Sequence, residues 1–156
     1  MLVWRVSKAG YAGEAFNGEG AARWGGRWNG PDYEVVYTSE TLSLAALEYF
    51  VNMEPGTVPA DVVAVTAEIP ESVKILSLRL EDVPGDWRAY PAPPSTRRIG
   101  MAWLEKRESA VLAVPSVVIP SERNYLLNPA HPQFRKVRVG KPERFGFDSR
   151  MWKGRG

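Results

Sequence analysis

Apolar positions along the chain fall in short runs, and most runs repeat every second residue or are apolar throughout. Leu2-Val3-Trp4-Arg5-Val6 reads as a first strand, and Glu34-Val35-Val36-Tyr37, β-branched and ending on an aromatic, as a second. The pattern then changes period. Leu42, Ala45, Ala46, Tyr49, Phe50 and Met53 recur at helical spacing, with Thr38 or Ser39 placed to cap the helix, Glu40 at its positive end and Pro55-Gly56 to stop it. Residues 62–69 and 73–80 predict two further strands, and residues 99–109 a short helix holding Met101, Trp103 and Leu104. Residues 110–119 form an apolar, β-branched run in which Pro115 predicts an edge position or a bulge. Tyr125-Leu126-Leu127 and residues 136–139 complete the strands, while residues 10–30 and 84–94 read as loops. Strands dominate and do not alternate regularly with helices, which argues for an α+β class and against a doubly wound sheet.

Composition narrows the possibilities. A chain of 156 residues with 44% hydrophobic content suits one compact domain, residues 1–156, with its own core. With no Cys there is neither a disulfide, a thiolate metal site nor a cysteine nucleophile. No stretch approaches the roughly 20 apolar residues of a membrane-spanning helix. Met1 to Arg5 enter a strand-like run rather than a basic leader, so a soluble, cytoplasmic protein is expected. The formal net charge is only +2, but between Arg135 and Arg155 basic residues clearly outnumber acidic ones. That region reads either as a solvated edge ending in a basic tail from about residue 149, or as a patch for nucleic acid or an acidic partner.

The densest chemistry lies between Phe16 and Asn29. Its glycines let backbone N–H groups approach an anion, Arg27 supplies a planar fork for phosphate oxygens, and Trp24 and Trp28 offer faces to a ring. Phosphate and base together suggest a nucleotide; a tight loop whose Trp residues plug the core fits the same residues. The segment lacks the Gly-Lys-Ser/Thr ending of a P-loop and the strand–glycine–helix order of a dinucleotide fingerprint. Glu48 shares a narrow polar stripe with Thr41 and Asn52 on an otherwise apolar helix. That stripe either faces water or forms a cleft wall, where a carboxylate can hydrogen-bond a ribose hydroxyl and stabilise a cationic sugar. Alternation sets Arg5 opposite Trp4, on what reads as a solvated strand face. Tyr37 ends its strand close to the first turn of the Glu48 helix, and Ser116 in its apolar run reads as a core hydroxyl. His131 is the sole histidine and packs in an Asn-Pro-Ala-His-Pro turn; no residues show metal-ligand spacing.

Taken in order, these motifs resemble the RES domain, a family named for an Arg, a Glu and a Ser. The resemblance runs through residues 2–6, Phe16 to Ala21, Gly25-Gly26-Arg27-Trp28-Asn29, residues 35–39, Leu44-Ala45-Ala46-Leu47-Glu48, Leu112-Ala113-Val114-Pro115-Ser116, the stretch from Glu122 to Pro132, and Phe145 to Arg150. Residues 55–98 match only in general character. The resemblance implies an ADP-ribosyltransferase-like fold, a β-rich core with flanking helices around an NAD cleft. It implies a toxin of a toxin–antitoxin pair that cleaves the nicotinamide–ribose bond of NAD, with water or phosphate as acceptor, or that transfers ADP-ribose to a protein. The partner it implies is an Xre-type helix-turn-helix antitoxin. NAD would be substrate, with no cofactor and no metal, and neither direct nucleic-acid binding nor membrane association is expected. Arg5 and Arg27 would grip the pyrophosphate or ribose side of NAD, Tyr37 would pack on the nicotinamide ribose or ring, Glu48 would stabilise the cationic sugar, Ser116 would orient nicotinamide or ribose, and Asn124 would act as an outlying donor. A reading of another class, a basic nucleic-acid-binding module in which Arg23-Trp24 and Arg27-Trp28 interleave charge with stacking surface, leaves Glu48 and Ser116 without a role.

Overall fold

A computed structural model describes residues 1–152. In chain order its elements are β1 (Leu2–Lys8), α1 (Glu19–Trp24), β2 (Val36–Ser39), α2 (Leu42–Val51), β3 (Val62–Glu68), β4 (Ile75–Ser77), α3 (Pro94–Lys106), β5 (Val111–Pro115), β6 (Arg123–Leu127), β7 (Arg138–Val139) and β8 (Glu143–Phe145). The strands form one mixed sheet in the order β4-β5-β6-β2-β1-β3-β7, with β8 also on β3. Among the described residues only β4 and β5 run parallel; the other pairs are antiparallel. The class is α+β.

Alternation distributes the core. Leu126 and Leu127 are both fully buried but belong to different clusters. Leu127 joins Val3, Val36, Val65 and Val111 on one face, and Leu126 joins Trp28, Trp87, Trp103 and Val114 beneath α3 on the other. A third cluster, around Val6, Ala45 and Val62, seats α2 against β1. Tyr49 of α2 then stacks on Phe147, which also meets Phe145 and Trp152, so residues 145–152 pack on this helix.

Several sequence expectations change. Pro115 is in no bulge, and β5 lies between β4 and β6, but β4 pairs only as far as Ala113, so Pro115, opposite Arg123, has a strand on one side only. A proline is tolerated there because its missing N–H falls on the side that β4 does not reach. The cap of α2 is Thr41, whose Oγ1 accepts from Leu44 N at 3.1 Å, not Thr38 or Ser39, which β2 takes up. Glu40 instead accepts from Arg123 N at 2.9 Å. The expected loop at residues 10–30 contains α1 and a 3-10 turn, α3 starts five residues before the predicted Ile99, and β8 was not expected. Of the basic tail, residues 149–152 form a 3-10 turn, and residues 153–156 lie outside the described residues. No helix among the described residues is long and apolar enough to cross a membrane.

Candidate active site

The sheet parts between β1 and β2. Their ladder is a single pair, Trp4 with Ser39, whereas β1 pairs with β3 along its whole length. Where the ladder stops, Arg5 Nη1 donates to the carbonyl oxygen of Tyr37 at 2.8 Å, satisfying an acceptor that a longer ladder would have used. The Arg5 side chain is half-buried at the cavity and not on a solvated strand face. Both faces of β1 carry core clusters, that of Val3 on one side and that of Val6 on the other, so alternation at its centre sets no face wholly in water. Burial pulls the Arg5 guanidinium below the usual arginine range, and the nearby Tyr37 offsets this in part. Its Nε is buried without a hydrogen-bond partner.

The parting opens onto a cavity of about 800 Å³ bordered by Arg5, Arg27, Tyr37, Glu48, Arg97 and Asn124 among others. Such a volume accommodates a large ligand. Glu48 is on α2, and its Oε1 accepts from Ser116 Oγ at 2.8 Å and from Asn124 Nδ2 at 2.6 Å. Both donors are locked into that role. Ser116 Oγ accepts from the backbone N–H of Val118 and of Ile119, each at 3.1 Å, which leaves its one proton for Glu48. Asn124 Oδ1 accepts from Ser39 Oγ at 2.8 Å, which turns the amide's NH2 toward the carboxylate. Two donors on one oxygen fix the orientation of the carboxyl group against the cleft.

Tyr37 forms a second buried network. Its hydroxyl donates to Asn29 Oδ1 at 2.6 Å and accepts from Trp28 N at 3.1 Å. Burial pushes its ionisation well above the ordinary tyrosine range, partly countered by the Trp28 hydrogen bond and the guanidiniums of Arg97, Arg27 and Arg5. Asn29 Nδ2 contacts the carbonyls of Ala21, Gly30 and Tyr33 at 2.9, 3.0 and 3.2 Å, so the amide ties the glycine-rich turn together. Gly26 has no alternative there: a Cβ would come within 2.6 Å of the Tyr37 hydroxyl. Arg27 Nη1 donates to the carbonyls of Trp87 and Ala89, both at 2.8 Å. The Arg27 guanidinium is lowered by partial burial and raised by Glu48. Arg97 Nε donates to the Gly26 carbonyl at 3.1 Å, and Thr96 Oγ1 to that of Arg27 at 2.7 Å, so α3 anchors the turn from below.

Arg5, Arg27, Tyr37, Glu48 and Asn124 therefore surround one cavity. Ser116 does not: it is fully buried, outside the cavity wall, and touches Glu48 instead. The two tryptophans also separate. Trp28 is 3% exposed and packs in the core with Trp87 and Trp103, whereas Trp24 is 78% exposed at the cavity rim. The Thr41–Glu48–Asn52 stripe divides: Thr41 and Asn52 are exposed and cap the ends of α2, while Glu48 is half-buried against the cleft. Sequence reasoning passed over Arg97, Asn29 and Ser39. Asn29 stood in the Gly-Gly-Arg-Trp-Asn motif, but its partners are scattered carbonyls with no sequence signal, and Arg97 falls in the stretch where the resemblance is weakest. His131 accepts at Nδ1 from Gln133 N at 3.1 Å, capping a 3-10 turn. No group of acidic or imidazole side chains among the described residues is placed to hold a metal.

Comparisons place this architecture. The RES domain family model matches residues 2–148. The chain is 36% identical over 152 residues to a protein named Toxin Res from Yersinia enterocolitica serotype O:8 / biotype 1B, covering 97% of this chain and 99% of that one. It is 33% identical over 153 residues to the Prs ADP-ribosylating toxin of Sphingobium sp. strain YBL2, covering 95% and 94%. In fold it matches a chain of the M. tuberculosis MbcT–MbcA toxin–antitoxin complex, with a TM-score of 0.73 at 17% identity, over 93% of this chain and 84% of that one. The chain thus belongs to the RES domain family, the family of the Res toxins.

Proposed function

We propose that this toxin cleaves the bond between nicotinamide and ribose in NAD. The observation that carries the reading is the Glu48 carboxyl group, held by two donors on one oxygen in a cleft whose other charged side chains are guanidiniums. In that reaction the electron pair of the glycosidic bond moves to the nicotinamide nitrogen. Nicotinamide leaves neutral, so no strong acid is required, and the sugar becomes positive. Glu48 stabilises that charge directly or through a ribose hydroxyl, and the anionic diphosphate lies against Arg27 and Arg5. Ser116 and Asn124 act by holding Glu48. Water as acceptor yields ADP-ribose and a proton; phosphate as acceptor yields the ribosyl phosphate ester.

A second reading shares the bond cleavage and differs in acceptor: transfer of ADP-ribose to a protein side chain. The resemblance to the Prs ADP-ribosylating toxin favours it. As a member of a toxin–antitoxin pair the chain would also bind an antitoxin, as a chain of similar fold does in the MbcT–MbcA toxin–antitoxin complex, and the Xre type is the one the family resemblance implies.

Nicotinamide release by purified protein, with and without phosphate and beside Glu48→Gln, tests the proposal. Release by the wild type that falls at least a hundredfold in the variant, on the order of removing one preorganised electrostatic group, is the expected result. Phosphate dependence identifies the acceptor. No release by folded wild type, with label instead on a protein target, selects the second reading.

A further inference from the structure

Two large aromatic side chains at the cavity rim face water. Trp24, the last residue of α1, is 78% exposed, and Tyr90, in the segment before α3, is 91% exposed; both border the cavity that holds Glu48. Trp28, Trp87 and Trp103 are buried, and the other exposed aromatic side chain among the described residues, Tyr11, does not border the cavity. The two rim residues belong to the segments that carry the guanidiniums. Arg27 lies three residues after Trp24, and its Nη1 grips the carbonyl of Ala89, the residue before Tyr90. Arg97 holds the Gly26 carbonyl between them, and Arg88 also borders the cavity. One guanidinium thus staples the Trp24 turn to the Tyr90 loop, which places exposed aromatic faces beside the positive part of the cleft.

We infer that Trp24 and Tyr90 form a stacking subsite for the distal purine base of the dinucleotide. This rests on the proposed reading, in which the diphosphate lies on the guanidiniums and the nicotinamide ribose meets Glu48. Once those two parts are fixed, the remaining base points away from Glu48, toward the rim. Flat exposed ring faces, whose polar N–H and O–H edges can stay in water, suit a purine face, and stacking on an aromatic side chain is strong enough to set substrate preference. The subsite selects a dinucleotide over a mononucleotide and acts on binding, not on bond cleavage.

The test measures binding of ADP-ribose and of inorganic pyrophosphate by calorimetry to the full chain and to Trp24→Ala and Tyr90→Ala. Both side chains are exposed, so the variants should melt within a degree or two of the wild type. The expected result is a roughly tenfold weaker ADP-ribose affinity in each variant, with pyrophosphate affinity unchanged. Unchanged ADP-ribose affinity overturns the subsite, as does equal weakening of both ligands, or an effect confined to binding of an antitoxin or a nucleic acid. Because binding is read without turnover, selective loss of ADP-ribose in a protein that releases no nicotinamide would sustain the subsite while the proposed reaction fell.

Discussion

At the scale of single residues, the hydroxyls of Ser116 and Tyr37 each close a buried network, and each can be removed without adding bulk. In Ser116→Ala the N–H groups of Val118 and Ile119 lose their acceptor and Glu48 loses one of two donors. Unsatisfied buried donors cost about 1–3 kcal/mol, which urea denaturation will show as a lower midpoint with unchanged slope. A hydrogen bond to a charged group contributes about 1.5–3 kcal/mol. Nicotinamide release should therefore fall roughly ten- to a hundredfold in kcat, with little change in KM, because Ser116 acts through Glu48 and does not border the cavity. Tyr37→Phe tests the other network. The folded state holds the Tyr37 hydroxyl neutral above the pH at which an unfolded tyrosine, of pKa about 10, ionises. Folding is then linked to proton retention: the contribution is intact below about pH 10 and is lost as pH rises beyond it. Wild-type melting temperature should decline from about pH 10 upward. Tyr37→Phe should melt lower at neutral pH, since Asn29 Oδ1 and Trp28 N lose their partner, but with a shallower alkaline decline.

Among the elements, α3 fixes the glycine-rich turn, and Gly100 permits it to. A Cβ at Gly100 would overlap the carbonyl oxygen of Trp28, a backbone atom that cannot swing aside. Gly100→Ala must push α3 away from the turn, against the helix preference for alanine. Overpacking of this kind costs about 1–3 kcal/mol, occasionally more. Displacing α3 also strains the Thr96 and Arg97 hydrogen bonds that position Arg27, so stability and substrate affinity should fall together, read by denaturant titration and KM. A melting point equal to the wild type would contradict this packing. The same element shows where sequence is informative and where it is silent. The periodicity of α2, the apolar β5 and the Leu126–Leu127 pair were legible, because burial leaves a mark in the spacing of apolar residues. The start of α3 was not: Pro94-Ser95-Thr96-Arg97-Arg98 has no apolar repeat, and its helical state comes from proline at its first position and from Thr96 and Arg97 reaching the turn. The grouping of Arg5, Arg27, Tyr37 and Glu48 was expected through family resemblance, not from spacing. Asn29, Ser39 and Arg97 escaped because their role lies in which carbonyl or amide they meet across the fold, and pattern does not encode that. The burial of Ser116 was legible in its apolar run, but its hydrogen bond to Glu48 escaped for the same reason.

For the molecule as a whole, charge is nearly balanced and yet locally lopsided. The net charge is +2, while the cavity is bordered by Arg5, Arg27, Arg88 and Arg97 against one carboxylate, Glu48. The ion pairs among the described residues join Arg79, Arg138 and Arg150 to acids elsewhere on the surface, and none of the cavity arginines takes part in one. The cleft therefore holds a positive potential that the fold does not neutralise, which draws in an anionic substrate. Salt should weaken this selectively, since the screening length falls from about 10 Å at 0.1 M to about 3 Å at 1 M. Raising ionic strength from 0.05 to 0.5 M should increase KM for NAD several-fold while kcat and melting temperature change little, because the surface ion pairs contribute little to stability. Arg97→Gln should flatten that dependence, and Arg138→Gln, outside the cleft, should not. The same titration separates a substrate cleft from a nucleic-acid surface. A polyanion-binding module would hold DNA or RNA at low salt with a steep logarithmic salt slope. A KM indifferent to salt, alongside tight salt-sensitive binding of nucleic acid, would move the function from the Glu48 cleft to the basic region beyond Arg135.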